Sequence, residues 1–189
     1  MMTCRCSVYI AASVDGFIAT PDGGVEWLEL PEYAATPMRG LQYETFIATV
    51  DALVMGRHSF EKVFSFGSWP YEGTPVVVLS SSGLVIPSHL AGTVRTESGH
   101  PVHIVQRLAE SGARHLYIDG GITIQRFLDA GLIDELTITR IPVLLGAGIP
   151  LFGNTGSEHK MVLIEAVASD NGFVQERYRV ERGAFQPEG

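Results

Sequence analysis

The feature that most constrains this chain is a repeated change of period. Short apolar runs alternate with amphipathic segments, and each run halts at glycine or serine. The runs are "CSVYIAAS", "DALVMG", "TPVVVLSSS" and "RHLYIDGG". They are short and rich in valine and isoleucine, and their near-continuous apolarity marks strands covered on both faces. Between them, "RHSFEKVF", "HPVHIVQRLAESGA" and "ITIQRFLDAG" read as helices, the last two stopped by Gly112 and Gly131. Val102, Val105, Leu108 and Ala109 define the expected buried face of the middle helix. A further helix is expected in "TPMRGLQYETFIATV" from Leu41, Phe46, Ile47 and Val50, despite Gly40. Alternation of this kind requires crossover connections and therefore a largely parallel sheet. The last third changes character. "DELTITRIPVLL", "KMVLIEAVAS" and "FVQERYRVER" alternate like antiparallel strands, with Asp170-Asn171-Gly172 as hairpin-turn chemistry between the last two. The expected fold class is α/β, a mostly parallel central sheet with antiparallel C-terminal strands. No repeat, low-complexity segment or linker interrupts residues 1–189, which reads as a single domain.

Composition narrows the partners. A hydrophobic fraction of 46% against 18% charged residues describes an apolar globule, and 189 residues suffice for a core without staples. The net charge is −8, with no Lys/Arg-rich run, which argues against nucleic acid and anionic membrane. No apolar run approaches the ~20 residues of a bilayer span, and "SVYIAAS" is too short for a signal peptide, so a cytoplasmic protein is expected. Cys4 and Cys6 read as free thiols, and the six histidines show no ligand spacing, so no metal is expected.

The chemistry is expected where the strands stop. In open α/β sheets ligands bind outside the carboxyl ends of strands, and a helix N-terminus offers unpaired N–H groups to an anion. Gly56-Arg57-His58-Ser59 stands at such a junction: glycine for close approach, a guanidinium fork, and a hydroxyl donor. Equally, Ser59 could simply cap the helix and Arg57 be a solvated side chain. Ser80, Ser81 and Ser82 end a second strand, and Asp119, Gly120 and Gly121 a third. Three such ends suggest one long polar ligand lying across the sheet edge. Neither G-x-G-x-x-G nor a P-loop is present.

The pieces "AASVDGFIA", "DALVMGRHSFE", "VVVLSSS" and "LYIDGGITIQRFLDAGLIDELTITRIPVLLGAGIPLF" occur in this order and span nearly the whole chain. Together they resemble the dihydrofolate reductase superfamily, in particular its branch containing the reductase domain of riboflavin biosynthesis. The resemblance implies a three-layer dihydrofolate-reductase-like fold, an NADPH-dependent oxidoreductase, and a homodimer near the apolar segment "IPVLLGAGIPLF". It implies that Ala11 and Ile18 meet the nicotinamide carboxamide, and that Gly56, Arg57, His58 and Ser59 hold the pyrophosphate and adenosine side. It places Arg57 with Ser81 at the 2′-phosphate and packs Leu79 and Ser80 on the adenosine. Asp119, Gly120, Gly121 and Thr123, at the next helix start, would lie beneath the cofactor. An arginine with a hydroxyl suits NADPH better than NADH.

The substrate side departs from both relatives. The acidic position on the helix before "VMG" in dihydrofolate reductases falls here at Gly40. Glu44, one turn later, could serve, or could be a surface glutamate. Where the riboflavin reductase has consecutive aspartates, a proline and an arginine, this chain has "FEKVFSFGSWPYEGTP". Asp15 and Glu44 are the candidate catalytic carboxylates, with Asp119 a further proton donor, although Asp15-Gly16 is also a turn signal. The first candidate activity is hydride transfer from NADPH in the manner of 5-amino-6-(5-phosphoribosylamino)uracil reductase, and the second is dihydrofolate reduction. A nucleotide-binding module without catalysis is the alternative from another class.

Overall fold

The computed structural model describes residues 4–34, 36–153 and 155–181. In chain order the elements are β1 (Arg5–Ser13), β2 (Phe17–Ala19), α1 (Pro31–Ala34), α2 (Tyr43–Ile47), β3 (Ala52–Gly56) and α3 (Arg57–Phe64). There follow β4 (Val76–Leu79), β5 (Val94–Glu97), α4 (Pro101–Glu110), β6 (His115–Asp119) and α5 (Gly121–Asp129). The chain continues with β7 (Glu135–Ile141), β8 (Ile149–Pro150), β9 (Met161–Ala168) and β10 (Val174–Val180).

Eight strands form one sheet in the order β5-β4-β3-β6-β1-β7-β10-β9. The pairs from β5 to β7 are all parallel, while β10 runs antiparallel to both β7 and β9. Strand apolarity follows from double coverage. On one face Val8, Val54, Ile118 and Leu136 meet Ile104 and Leu108 of α4 and Ile124 and Phe127 of α5, all buried. On the other face Leu53, Met55, Val78 and Tyr117 meet Phe46 of α2 and Phe60 of α3. Helices on both faces of a mostly parallel sheet give the three layers expected from the strand–helix alternation.

The sheet order places the ligand end. The chain steps outward from β3 to β5 and then returns to insert β6 between β3 and β1. At this reversal the carboxyl ends of neighbouring strands open a crevice with no crossover above it.

Several expectations are corrected. The helix read into residues 36–50 shrinks to Tyr43–Ile47 because Gly40 adopts φ +96° and turns the chain. The buried Gln175 amide then takes up the freed backbone: its Oε1 accepts from Leu41 N at 2.7 Å and its Nε2 donates to Leu41 O at 3.0 Å. In α4 the buried residues are Pro101, Ile104 and Leu108, whereas Val102 is exposed. The strand β5, "VRTE", carries too little apolar signal to be read from sequence, and β2 pairs with β8 in a separate two-stranded ribbon. The segment "IPVLLGAGIPLF" contains β8 and so contributes to that ribbon, while the edges of the main sheet are β5 and β9.

Asp170-Asn171-Gly172 does turn the final hairpin. Gly172 sits at φ +87°, and Phe173 N donates to the Asn171 side chain at 3.1 Å. Cys4 and Cys6 are both buried. Among the described residues no group of three or more His, Cys, Asp or Glu gathers to hold a metal, and no helix is long and apolar enough to cross a membrane.

Candidate functional site

A cleft of about 1010 Å³ opens at the carboxyl ends of β1, β3, β4 and β6. The cofactor-side residues singled out in the sequence all line it: Ala11, Ile18, Gly56, Arg57, His58, Ser59, Leu79, Ser80, Ser81, Asp119, Gly120, Gly121 and Thr123. The loop after β2 adds Pro21, Asp22, Gly23, Val25 and Leu28 as an opposing rim.

Two helices begin in this cleft. The N-cap of α3 is Gly56 and that of α5 is Gly120, and neither helix start receives a side-chain capping bond. Ser59 therefore does not cap α3. The first N–H groups of both helices lack intrahelical partners, and each carries about half a positive charge by the macrodipole. Gly120 is fixed as glycine twice over: its φ is +91°, and a Cβ there would strike Ser59 Oγ. At Gly121 a Cβ would come within 2.9 Å of the Pro150 carbonyl oxygen, and at Gly56 within 3.0 Å of Thr123 Oγ1. The three glycines thus let α3, α5 and the ribbon close together around the crevice.

Arg57 reaches across to the β4 end. Its Nη1 donates to Ser82 Oγ at 2.8 Å, and its Nε donates to Glu61 Oε1 at 2.7 Å. The side chain that Arg57 meets at the end of β4 is thus Ser82. Ser81 lines the cleft beside it. The His58 side chain is 92% exposed and turned toward Glu61 at 3.6 Å. Two further cations line the cleft without having been noticed in the sequence, Lys62 and Arg126. Neither belongs to a motif in the sequence, so only their position in space marks them. Arg126 also donates to the Gly99 carbonyl at 3.2 Å, tying α5 to the loop after β5.

The carboxylates separate. Asp15 does not line the cleft. It accepts from Ser13 Oγ at 2.5 Å, Leu145 N at 3.2 Å and Gly146 N at 2.7 Å, and the Ser13 bond foremost holds its pKa below the usual value. Asp15 thus clasps the 145–146 turn to the end of β1. Glu44 is exposed on α2, outside the cleft. Asp119 does line it, at the end of β6. Burial pushes its pKa up to about 6, against an opposing hydrogen bond from the Gly120 N–H. A carboxyl poised between forms near neutrality can hold or release a proton.

A nucleotide-sized crevice at a sheet's topological switch point, floored by two uncapped helices and holding the desolvated Asp119 carboxyl, defines an α/β protein with the dihydrofolate reductase fold. The family model for the RibD C-terminal domain matches residues 7–175, and the chain belongs to that family. A protein from Shewanella sp. PV-4 named for riboflavin biosynthesis is similar in structure. It has a TM-score of 0.83 and 39% identity, over 94% of this chain and 99% of that one. The Thermotoga maritima diaminohydroxyphosphoribosylaminopyrimidine deaminase/5-amino-6-(5-phosphoribosylamino)uracil reductase superposes with a TM-score of 0.69 and 15% identity, over 94% of this chain and 56% of that one. Dihydrofolate reductase from Enterococcus faecalis, complexed with NADP(H), gives a TM-score of 0.64 and 18% identity, covering 94% and 96%.

Proposed function

We propose that this chain is an NADPH-dependent reductase of the pyrimidine-reductase type, acting on a small heterocyclic substrate as a cytoplasmic homodimer. The observation that carries the reading is the convergence of two uncapped helix N-termini with Arg57, Lys62 and Arg126 in one cleft. The whole chain carries −8, so this local donor set answers a specific anion and not a general field. It suits a pyrophosphate against α3 and α5, with a 2′-phosphate against Arg57, Ser81 and Ser82. Ala11 and Ile18, on β1 and β2, would meet the nicotinamide end.

When bound, NADPH would supply a hydride. This chain's own residues then have three tasks: to orient a substrate carbon toward Ala11 and Ile18, to exclude water, and to move a proton. Asp119 is the group we assign to the proton, since it alone of the three candidate carboxylates lines the cleft. Dihydrofolate is the weaker substrate reading, because Gly40 stands where an acid is needed and α2 is only five residues long. For the homodimer we assign β9, an edge strand whose Val162, Leu163 and Ile164 are exposed. The reading is tested by fluorescence titration of the purified protein with NADPH and with NADH. Tight, NADPH-selective binding is expected; failure of both to bind would remove the reductase reading.

A further inference from the structure

On the face of the sheet away from α4 and α5, Asp119 looks onto a cluster of aromatic rings. By strand alternation its side chain shares that face with Tyr117, two residues earlier in β6. Tyr43 of α2 packs edge-on to Tyr9 at 5.6 Å and to Tyr117 at 6.5 Å between ring centroids. Trp69 and Tyr71, both from the "FGSWPYEG" segment, meet edge-on at 5.3 Å. Tyr9, Tyr43, Trp69, Tyr71 and Asp119 are each only partly buried, and Asp119 joins the cluster to the cleft it lines.

Its electrostatics are one-sided. Burial first and then the Asp119 charge raise the phenol of Tyr71, and the same two causes, with Glu44 behind them, push Tyr43 up to about 12. The Tyr117 phenol is raised in the same way. Among the described residues every charge these phenols feel is acidic. Arg57, Lys62 and Arg126 line the cofactor half instead, and Arg39 is paired with Asp170 at 3.0 Å. The wall also holds an open donor, since Trp69 Nε1 is buried with no hydrogen-bond partner.

We infer that the substrate half of this site takes a planar heterocycle carrying a protonated nitrogen and no phosphate ester. Its ring lies against Tyr43, Tyr71 and Trp69, and its cationic nitrogen is the counter-ion of Asp119. The inference rests on the reductase reading above and narrows it. A cation here gains ring faces and a desolvated carboxylate that is hydrogen-bonded but faces no cation among the described residues. A phosphate dianion would lie beside that carboxylate with no compensating charge, in a partly water-excluded place. The substrate of the Thermotoga enzyme carries a phosphoribosyl group by its name.

The test is calorimetric titration of the full chain at pH 7.5 with three probes: 4-aminoquinoline (a planar cation), quinoline (its neutral counterpart) and uridine 5′-monophosphate. The aminoquinoline is expected to bind at least tenfold more tightly than quinoline, and the nucleotide not to compete with it. Asp119→Asn is expected to bring the cation and the neutral ring to within about twofold. Tyr71→Ala should weaken both rings together, and serves if the asparagine variant does not fold. Nucleotide binding at this face as tight as that of the cation would overturn the inference, as would a cation preference that survives in Asp119→Asn, or no ring binding at all. A separate NADPH titration of the same protein reads the cofactor half independently. Loss of NADPH binding with the cation preference intact would count against the reductase reading alone.

Discussion

Arg57 Nε lies 2.7 Å from Glu61 Oε1, one helical turn along α3, while the other end of the same guanidinium reaches Ser82 at 2.8 Å. The ion pair is exposed and adds little to the stability of the helix. Its consequence is orientation: with Nε held by Glu61, the remaining donors face the serines that end β4.

Arg57→Ala is therefore expected to leave thermal stability nearly unchanged. It should weaken NADPH binding about 10- to 100-fold, the ~1.5–3 kcal/mol of a charge-assisted contact, and NADH binding far less. Parallel titrations with the two nucleotides check this, and equal losses would remove the 2′-phosphate from Arg57.

Gly120→Ala meets two obstacles at once, a positive φ and the Ser59 hydroxyl. A loss of about 1–3 kcal/mol is expected from backbone strain and crowding. In the Ser59→Gly background the crowding part should return, leaving the φ cost of ~1 kcal/mol. Gly131→Ala, at φ +66° with open space around it, supplies the strain-only reference. Urea unfolding of the four proteins would separate the two contributions. Equal losses for Gly120→Ala and Gly131→Ala would mean that Ser59 simply rotates away.

Much of this was legible in the sequence, for a local reason. A strand buried on both faces is a continuous apolar run, and its end is marked by the residues that let a ligand or a helix approach. Thus "DALVMG" and "RHSFEKVF" coincide with β3 and α3. What escaped depends on distant partners. Gly40 ends a helix that Leu41 and Phe46 suggest, because Gln175, far along the chain, accepts from the turned backbone. Asp15 and Asp119 both precede glycine and look alike as text. One is tied down by the 145–146 turn and the other is desolvated against tyrosines, and neither environment is written nearby. Lys62 and Arg126 follow the same rule.

The edge strand β9 is exposed along most of its length, with Leu163 54% and Ile164 50% accessible on opposite faces. A long apolar edge invites a second strand, and self-complementary pairing of two copies would cover it. Leu163→Lys is expected to yield a monomer in sedimentation velocity at micromolar concentration where the parent chain is a dimer. A parent chain that sediments as a monomer would dispose of the assignment.

Asp119 makes the cleft sensitive to pH in a direction opposite to ordinary carboxylates. Its folded pKa, about 6, lies above the ordinary aspartate value, so the folded state binds the proton more tightly. The resulting stabilisation is complete below pH ~4 and is lost as pH rises through about 6. At pH 7.5 the ionised, desolvated group carries a penalty on the order of 2–3 kcal/mol. Asp119→Asn removes that penalty and keeps the shape. Its melting temperature should equal that of the parent near pH 4, exceed it progressively between pH 4 and 7, and stay a constant amount higher above that, while turnover falls. His115 works the other way: burial lowers its pKa, so its contribution is complete above pH ~6.5 and is lost as pH falls through its folded value. Because His115 titrates in both proteins, the difference between the two melting curves isolates Asp119. A difference that does not vary with pH would show that Asp119 is solvated and unfit to hold the proton.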